Sequence, residues 1–125
     1  LAARQRLALV AADMTDLDLV PLMEPEVRFK VGAIDPAEAL GWLYVAEGSN
    51  MGAALLRKAV ARLGLSDEQG GRHLAPAPDG PAAQWRAFTA ALDAAELDPA
   101  GEERAVQGAR AAFLRVERLA ELHFP

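Results

Sequence analysis

The sequence predicts an all-α fold, and three observations predict it. Hydrophobic residues make up 52% of the 125 positions but aromatic residues only 6%. Alanine and leucine, both strong helix formers, dominate the apolar positions, and these positions recur at the three- and four-residue spacing of amphipathic helices. The one alternating stretch, residues 27–31, has no partner strand and is expected to be extended.

Composition bounds the classes of protein to which the chain can belong. Its length fits one domain, so residues 1–125 are expected to form a single domain. The net charge of −5 argues against a nucleic-acid partner, because neutralising phosphates needs a basic surface. The absence of cysteine excludes disulfides and thiolate metal sites and fits a cytoplasmic location. No apolar run reaches the roughly 20 residues of a membrane span.

The first predicted helix covers residues 2–19 and ends before two prolines, Pro21 and Pro25. The chain starts at Leu1, not methionine, and enters this helical pattern directly. We therefore expect it to be the remainder of a longer protein that lacks an N-terminal segment. Residues 20–34 are expected to connect the first helix to the second.

The second predicted helix has strong start and stop signals. It starts at Asp35-Pro36-Ala37-Glu38, where Asp35 can cap the first turn, proline suits that turn and Glu38 can complete a capping box. It runs to about Leu63, and Gly64 can supply the left-handed residue that stops a helix.

Two further helices are predicted after a glycine- and proline-rich loop at residues 70–81. The spacing of Trp85, Phe88 and Leu92 marks a helix over residues 82–95. The last helix begins at Asp98-Pro99. The positions predicted to face inward on it are Val106, Ala109, Phe113, Val116 and Ala120.

The most informative feature is the glycine pair Gly48 and Gly52 inside the second helix. An interior glycine costs a helix roughly 0.5–1 kcal/mol relative to alanine. At 100° per residue the two positions lie about 40° apart, with Gly41 and Tyr44 on the same stripe. The helix would thus present a shallow trough of nearly bare backbone. A planar cofactor or another helix could lie against it, and the spacing by itself favours another helix.

The other polar candidates carry weaker signals. His73 and His123 have no histidine or carboxylate at ligand spacing, so both are expected to be bystanders and no metal site is predicted. Glu47 is interpreted as a solvated charge in preference to a general base. Phosphate-binding and dinucleotide-binding motifs are absent.

A family resemblance is carried by the segment Leu43-Tyr44-Val45-Ala46-Glu47-Gly48-Ser49-Asn50-Met51-Gly52. It resembles the distal-helix motif of bacterial haem oxygenases, particularly the type that accompanies bacteriophytochromes. Other segments agree with the family in the same order along the chain: Gly41, Leu63-Gly64-Leu65, Gly70-Gly71, Trp85-Arg86-Ala87-Phe88 and Ala112-Phe113-Leu114.

The resemblance implies a haem oxygenase-like multi-helix bundle in which haem b lies between a proximal helix and this glycine-bent distal helix. The implied reaction converts haem, oxygen and electrons to biliverdin, carbon monoxide and ferrous iron. Ferredoxin, a reductase or ascorbate would supply the electrons, and a bacteriophytochrome is a candidate acceptor of the biliverdin.

The resemblance also implies roles for individual residues. Gly48 and Gly52 would let the backbone approach the haem, and Ser49 would take the polar distal position, so these three are the candidate catalytic residues. The same three and a further set would contact the haem. That set is Tyr44 at the haem edge, Phe113 lining the pocket and Arg86 at a propionate.

Two departures from the family pattern leave an alternative open. Many members have aspartate where this chain has Ser49, and a neutral hydroxyl is a weaker anchor for a proton-delivery network. The family's proximal histidine lies on the first helix, whereas no histidine precedes residue 20 here. We expect the missing N-terminal segment to carry it. The alternative is a non-enzymatic haem oxygenase-like binding or regulatory module that lacks the axial histidine.

Overall fold

A computed structural model of the chain describes residues 4–21 and 34–124. These residues form helices and turns and no named strand, so the all-α prediction is confirmed. Within the same ranges, no helix combines the length and the apolar character that crossing a membrane requires. The elements are α1 (Leu7–Asp16), α2 (Pro36–Ala61), a 3-10 turn (Arg72–Leu74), α3 (Pro81–Asp93) and α4 (Pro99–His123).

The chain divides into two compact units. The described part of the first unit is residues 4–21 and 50–81, and that of the second unit is residues 34–49 and 82–124. Helix α2 contributes its N-terminal part to the second unit and its C-terminal part to the first. The single domain expected over residues 1–125 stays a prediction.

The termini of α2 follow the signals in the sequence. The carboxylate of Asp35 accepts a hydrogen bond from the backbone N–H of Ala37 at 3.1 Å, as a capping residue does. The helix ends at Ala61, two residues earlier than predicted, and Gly64 adopts the left-handed conformation with φ of +82°. Helix α1 is shorter than predicted at both ends. Most of the predicted connector, residues 22–33, lies outside the described residues.

In the first unit, charged side chains at α1 hold the turn that follows α2. Asp13 is only 3% exposed and accepts hydrogen bonds from the backbone N–H groups of Arg72 and His73, both at 2.9 Å. Nδ1 of His73 lies 2.7 Å from the same carboxylate. Arg6, immediately before α1, donates to the carbonyls of His73 at 3.1 Å and Ala75 at 2.7 Å. We call this arrangement of Arg6 and Asp13 on residues 72–75 the α1 clamp.

The α1 clamp satisfies both ends of a short turn. A carboxylate receives the free N–H groups at its start, and a guanidinium donates to the carbonyls at its end. Asp16 extends the clamp by accepting from the N–H of Gly70 at 2.8 Å and by pairing with the guanidinium of Arg72. His73 therefore has a buried structural partner, and the expectation that it is not a metal ligand stays a prediction.

In the second unit, α2 and α4 approach each other so closely that their backbones touch. A Cβ atom on Gly41 would lie 2.0 Å from the carbonyl oxygen of Ala105, and one on Gly108 would lie 2.2 Å from the carbonyl oxygen of Glu38. Nε of Arg104 donates to the Asp35 carboxylate at 2.7 Å. We call this contact the α2–α4 seam; its small residues are Ala37, Gly41, Ala105, Gly108 and Ala112.

The prediction of which α4 residues face inward is wrong for its large side chains. Val106, Phe113 and Val116 are 50%, 61% and 60% exposed, whereas Gly108 and Ala112 are buried. The buried face is centred about 90° around the helix from the predicted one. The reason is the α2–α4 seam, since only glycine and alanine leave room for two backbones in contact.

Candidate functional site

One turn of α2 meets one turn of α3 at Gly48. A Cβ atom on Gly48 would lie 3.7 and 3.8 Å from two ring atoms of Trp85, which is ordinary van der Waals contact. The rings of Tyr44 and Trp85 are tilted by 59° with centroids 5.4 Å apart, and Phe88 lies 5.8 Å from Trp85. Tilted pairs at these distances are favourable. The indole of Trp85 thus lies beside the backbone of Gly48 and is in contact with the rings of Tyr44 and Phe88.

Glu47, immediately before Gly48, is buried. Its side chain is 5% exposed, and Oε2 accepts a hydrogen bond from Nε2 of Gln84 on α3 at 3.3 Å. The interpretation of Glu47 as a solvated charge is therefore wrong. Periodicity places this residue next to the trough, but it does not say that α3 covers that side of α2.

Ser49 has an exposed side chain whose proton is already committed. Its Oγ donates to the backbone carbonyl of Ala46 at 2.6 Å, the bond that a serine inside a helix commonly forms. The oxygen lone pairs can still accept hydrogen bonds. Ser49 is thus able to act as an acceptor toward a water molecule or a ligand.

Gly52 lies one turn further along α2, in the part that belongs to the first unit. No heavy atom of the described residues lies within 4 Å of the position that its Cβ would take. Gly41 contrasts with this, because a Cβ there would collide with the backbone of α4. Close helix packing accounts for Gly41 but accounts for neither Gly48 nor Gly52.

The remaining predicted site residues are Tyr44, Phe113 and Arg86, and the aromatic cluster of Tyr44, Trp85 and Phe88 includes the first of them. Tyr44, 42% exposed, belongs to it through Trp85. Phe113 on α4 is 61% exposed, and Arg86 on α3 is also exposed. The contacts that define the cluster include neither, so their roles stay predictions. Among residues 4–21 and 34–124, no group of three or more histidine or carboxylate side chains is placed to hold a metal ion.

Two residues beside the site, Trp85 and Gln84, are not among those that the sequence predicts for it: Trp85 lies against Gly48, and Gln84 bonds Glu47. In the sequence pattern Trp85 marks a helix and a segment shared with the family. Its three-residue spacing from Phe88 predicts that these two rings are neighbours on one helix, but carries no signal for the contact with Tyr44 on another helix. Gln84 carries no signal of its own, because an amide side chain on a helix is ordinary.

Comparison with known proteins gives concordant results. The model of the heme oxygenase family matches residues 23–121. Heme oxygenase PigA of Pseudomonas aeruginosa is 43% identical over 124 residues, which cover 99% of this chain and 62% of that protein. The structure of the NO- and CO-bound heme oxygenase from Neisseria meningitidis matches with a TM-score of 0.82 and 44% identity, over 93% of this chain and 57% of that one. The chain therefore spans about 60% of the length of these relatives.

Proposed function

This chain belongs to the haem oxygenase family, and from that premise we propose that its protein cleaves haem oxidatively to biliverdin, carbon monoxide and ferrous iron. The reaction would use oxygen and electrons from an external donor, with haem b as both substrate and cofactor. The match to a solved haem oxygenase extends to the all-α fold.

The observation that carries the proposal is the contrast between two pairs of glycines. Gly41 and Gly108 are required by the α2–α4 seam, where any side chain would meet backbone. Among residues 4–21 and 34–124, a Cβ on Gly48 would contact only the Trp85 ring, and a Cβ on Gly52 would contact no atom outside its own helix backbone. Since interior glycines destabilise a helix, two that packing does not require indicate that something else approaches the backbone there. A flat ligand such as haem fits such a face.

The side chains on this part of α2 suit a porphyrin. Haem, when bound, supplies the iron and the conjugated ring at which oxygen chemistry takes place. The oxygen of Ser49 would accept a hydrogen bond beside the bare backbone, and Tyr44 would contact an apolar edge. Phe113 would add an apolar wall, and Arg86 would pair with a propionate. We also propose that α2 bends at its glycines.

The electron donor and the acceptor of biliverdin are inferred from the same reaction. We propose ferredoxin, a reductase or ascorbate as the electron donor, and a bacteriophytochrome as one possible acceptor of biliverdin. We propose a cytoplasmic location, which suits a chain without cysteine. The axial histidine is proposed to come from outside residues 1–125, because the family's proximal histidine lies on the first helix and no histidine precedes residue 20 here. The comparisons do not favour the non-enzymatic alternative.

The test of the activity is a haem titration of the whole protein followed by addition of ascorbate or a reductase. We expect a shift of the Soret band on binding and then the absorption of biliverdin. A protein that binds haem but releases no biliverdin, or that leaves the Soret band unchanged, contradicts the proposal.

Gly52→Leu tests the proposal that haem lies on the glycine-bearing face of α2, and Ala54→Leu is the matched control. Ala54 is also exposed on α2 but lies about 200° around the helix from Gly52. Since nothing in the described residues obstructs a side chain at Gly52, the variant should fold normally yet bind haem more weakly or form biliverdin more slowly. The control should leave both unchanged. Equal behaviour of the two variants would show that haem lies elsewhere.

A further inference from the structure

A buried carboxylate and a half-buried amide join α2 to α3 beside Gly48. Glu47 is 5% exposed, and its Oε2 accepts from Nε2 of Gln84 at 3.3 Å. The amide oxygen of Gln84 is also buried and has no hydrogen-bond partner among the described residues. The carboxylate of Glu47 and the amide oxygen of Gln84 are thus enclosed at the contact between two helices, and the amide oxygen is left unpaired.

Such a pair is a poor way to gain stability. Removing a carboxylate from water carries a large desolvation cost, and an unpaired buried oxygen adds to it. Two apolar side chains of similar size often stabilise a helix contact equally well or better. The better-attested use of a buried polar pair is to fix the register of one helix on another.

The positions of the two residues fit that use. Glu47 precedes Gly48 on α2, and Gln84 precedes Trp85 on α3. Two consecutive residues of α2 therefore contact two consecutive residues of α3: Glu47 bonds Gln84, and Gly48 lies against the Trp85 ring. A shift of α3 by one residue would turn its side chains by about 100°. That shift would move Gln84 off Glu47 and Trp85 off Gly48 together.

We propose that Glu47 and Gln84 are positioning residues that set the register of α3 on α2 and so hold the Trp85 indole against Gly48. The ring then forms a fixed wall beside the glycine-bearing face of α2. The consequence for haem cleavage rests on the proposed function. The placement of Trp85 does not, and it is measured without haem.

The experiment labels the whole, haem-free protein with 5-fluorotryptophan and records its fluorine NMR spectrum. The Trp85 resonance is the one that disappears in Trp85→Phe. Gln84→Glu puts two carboxylates face to face, so we expect the Trp85 resonance to shift or broaden at neutral pH. Adding Glu47→Gln rebuilds the same pair in reverse order and should return the resonance to its wild-type position.

A second variant keeps the proposal testable if Gln84→Glu does not fold. Glu47→Leu with Gln84→Leu replaces the polar pair by an apolar one and should fold, with its thermal midpoint retained or raised. Its Trp85 resonance should nevertheless move, because two leucines lack the directional hydrogen bond that joins Gln84 to Glu47. Glu117→Gln, at an exposed position on α4, is the matched control and should change nothing.

The proposal is overturned if the Trp85 resonance of the double-leucine variant coincides with that of the wild type. It is also overturned if the reversed pair folds but does not restore the resonance. Neither result bears on whether the protein cleaves haem, which the haem titration decides. If haem is cleaved, the double-leucine variant should form biliverdin more slowly although it is at least as stable as the wild type.

Discussion

The two units hold their helices in place by opposite means. In the first unit, the α1 clamp uses charged side chains that reach across to a turn, with Asp13 buried and Arg6 at the other end. In the second unit, the α2–α4 seam works by the absence of side chains at Gly41 and Gly108. The α1 clamp therefore depends on the charge of its side chains, and the α2–α4 seam depends on the small volume of its residues. Substitutions of equal size should have very different effects in the two units.

The largest effect is expected from added volume in the seam. Gly41→Val would place its Cβ 2.0 Å from the carbonyl oxygen of Ala105, and a backbone atom cannot rotate away. We expect a loss of about 3 kcal/mol or more in the free energy of unfolding, at the upper end for overpacked sites. Urea denaturation followed by circular dichroism measures it.

Gly52→Ala is the control for that substitution. No described atom obstructs its Cβ, and alanine is the better helix former, so the free energy of unfolding should rise by about 0.5–1 kcal/mol. If the two glycine variants had the same stability, the seam would not depend on close backbone approach.

A smaller effect, with a pH signature, is expected in the clamp. Burial raises the pKa of Asp13, but hydrogen bonds from the backbone and ring of His73 and from the backbone of Arg72 outweigh burial, so the pKa lies below its usual value. Because the folded pKa is the lower one, this stabilisation is present above the unfolded value of about 3.9 and is lost as the pH falls through the folded pKa. Asp13→Asn should cost about 2 kcal/mol at pH 7.

The measurement is the free energy of unfolding as a function of pH between neutral and strongly acidic solution. The wild type should lose stability more steeply on acidification than Asp13→Asn does, so the two curves converge at low pH. Glu68→Gln, exposed in the same unit, is the control and should follow the wild type. Parallel curves for Asp13→Asn and the wild type would show that the clamp does not depend on ionisation.

The smallest effect is expected from an ion pair that lacks burial. Nε of Arg57 donates to the carboxylate of Asp67 at 2.7 Å, and both side chains are well exposed. The hydrogen bond from Arg57 lowers the pKa of Asp67, but solvent and salt screen such a pair. Asp67→Asn should leave the thermal midpoint unchanged within error at physiological salt. A loss of stability as large as that of Asp13→Asn would mean that burial does not explain the difference between the two carboxylates.

The sequence predicted what is decided locally. Asp35 and Pro36 mark the start of α2, and the left-handed Gly64 follows its end, because caps and stops depend on a few neighbouring residues. The α1 clamp was missed because Asp13 and His73 are 60 residues apart. No pattern of spacing links a carboxylate on one helix to the amides of a distant turn.

The same distinction holds for the candidate site. Gly48 and Ser49 belong to a recognisable motif, and the bond from Ser49 to Ala46 is the short-range bond expected of a serine inside a helix. The burial of Glu47 depends on where α3 packs, so it could not be predicted. Hydrophobic periodicity predicts that the large side chains of α4 are buried. The close approach of α2 and α4 instead buries the glycine and alanine positions of α4.

The α1 clamp also bears on how freely this stretch of sequence can vary. Four of its bonds end on main-chain groups, namely the N–H groups of Arg72 and His73 and the carbonyls of His73 and Ala75. Every amino acid except proline offers the same two groups. Position 75 can therefore exchange its side chain, even for a spectroscopic label, without loss of a bond. A proline at position 72 or 73 would remove a donor that Asp13 needs.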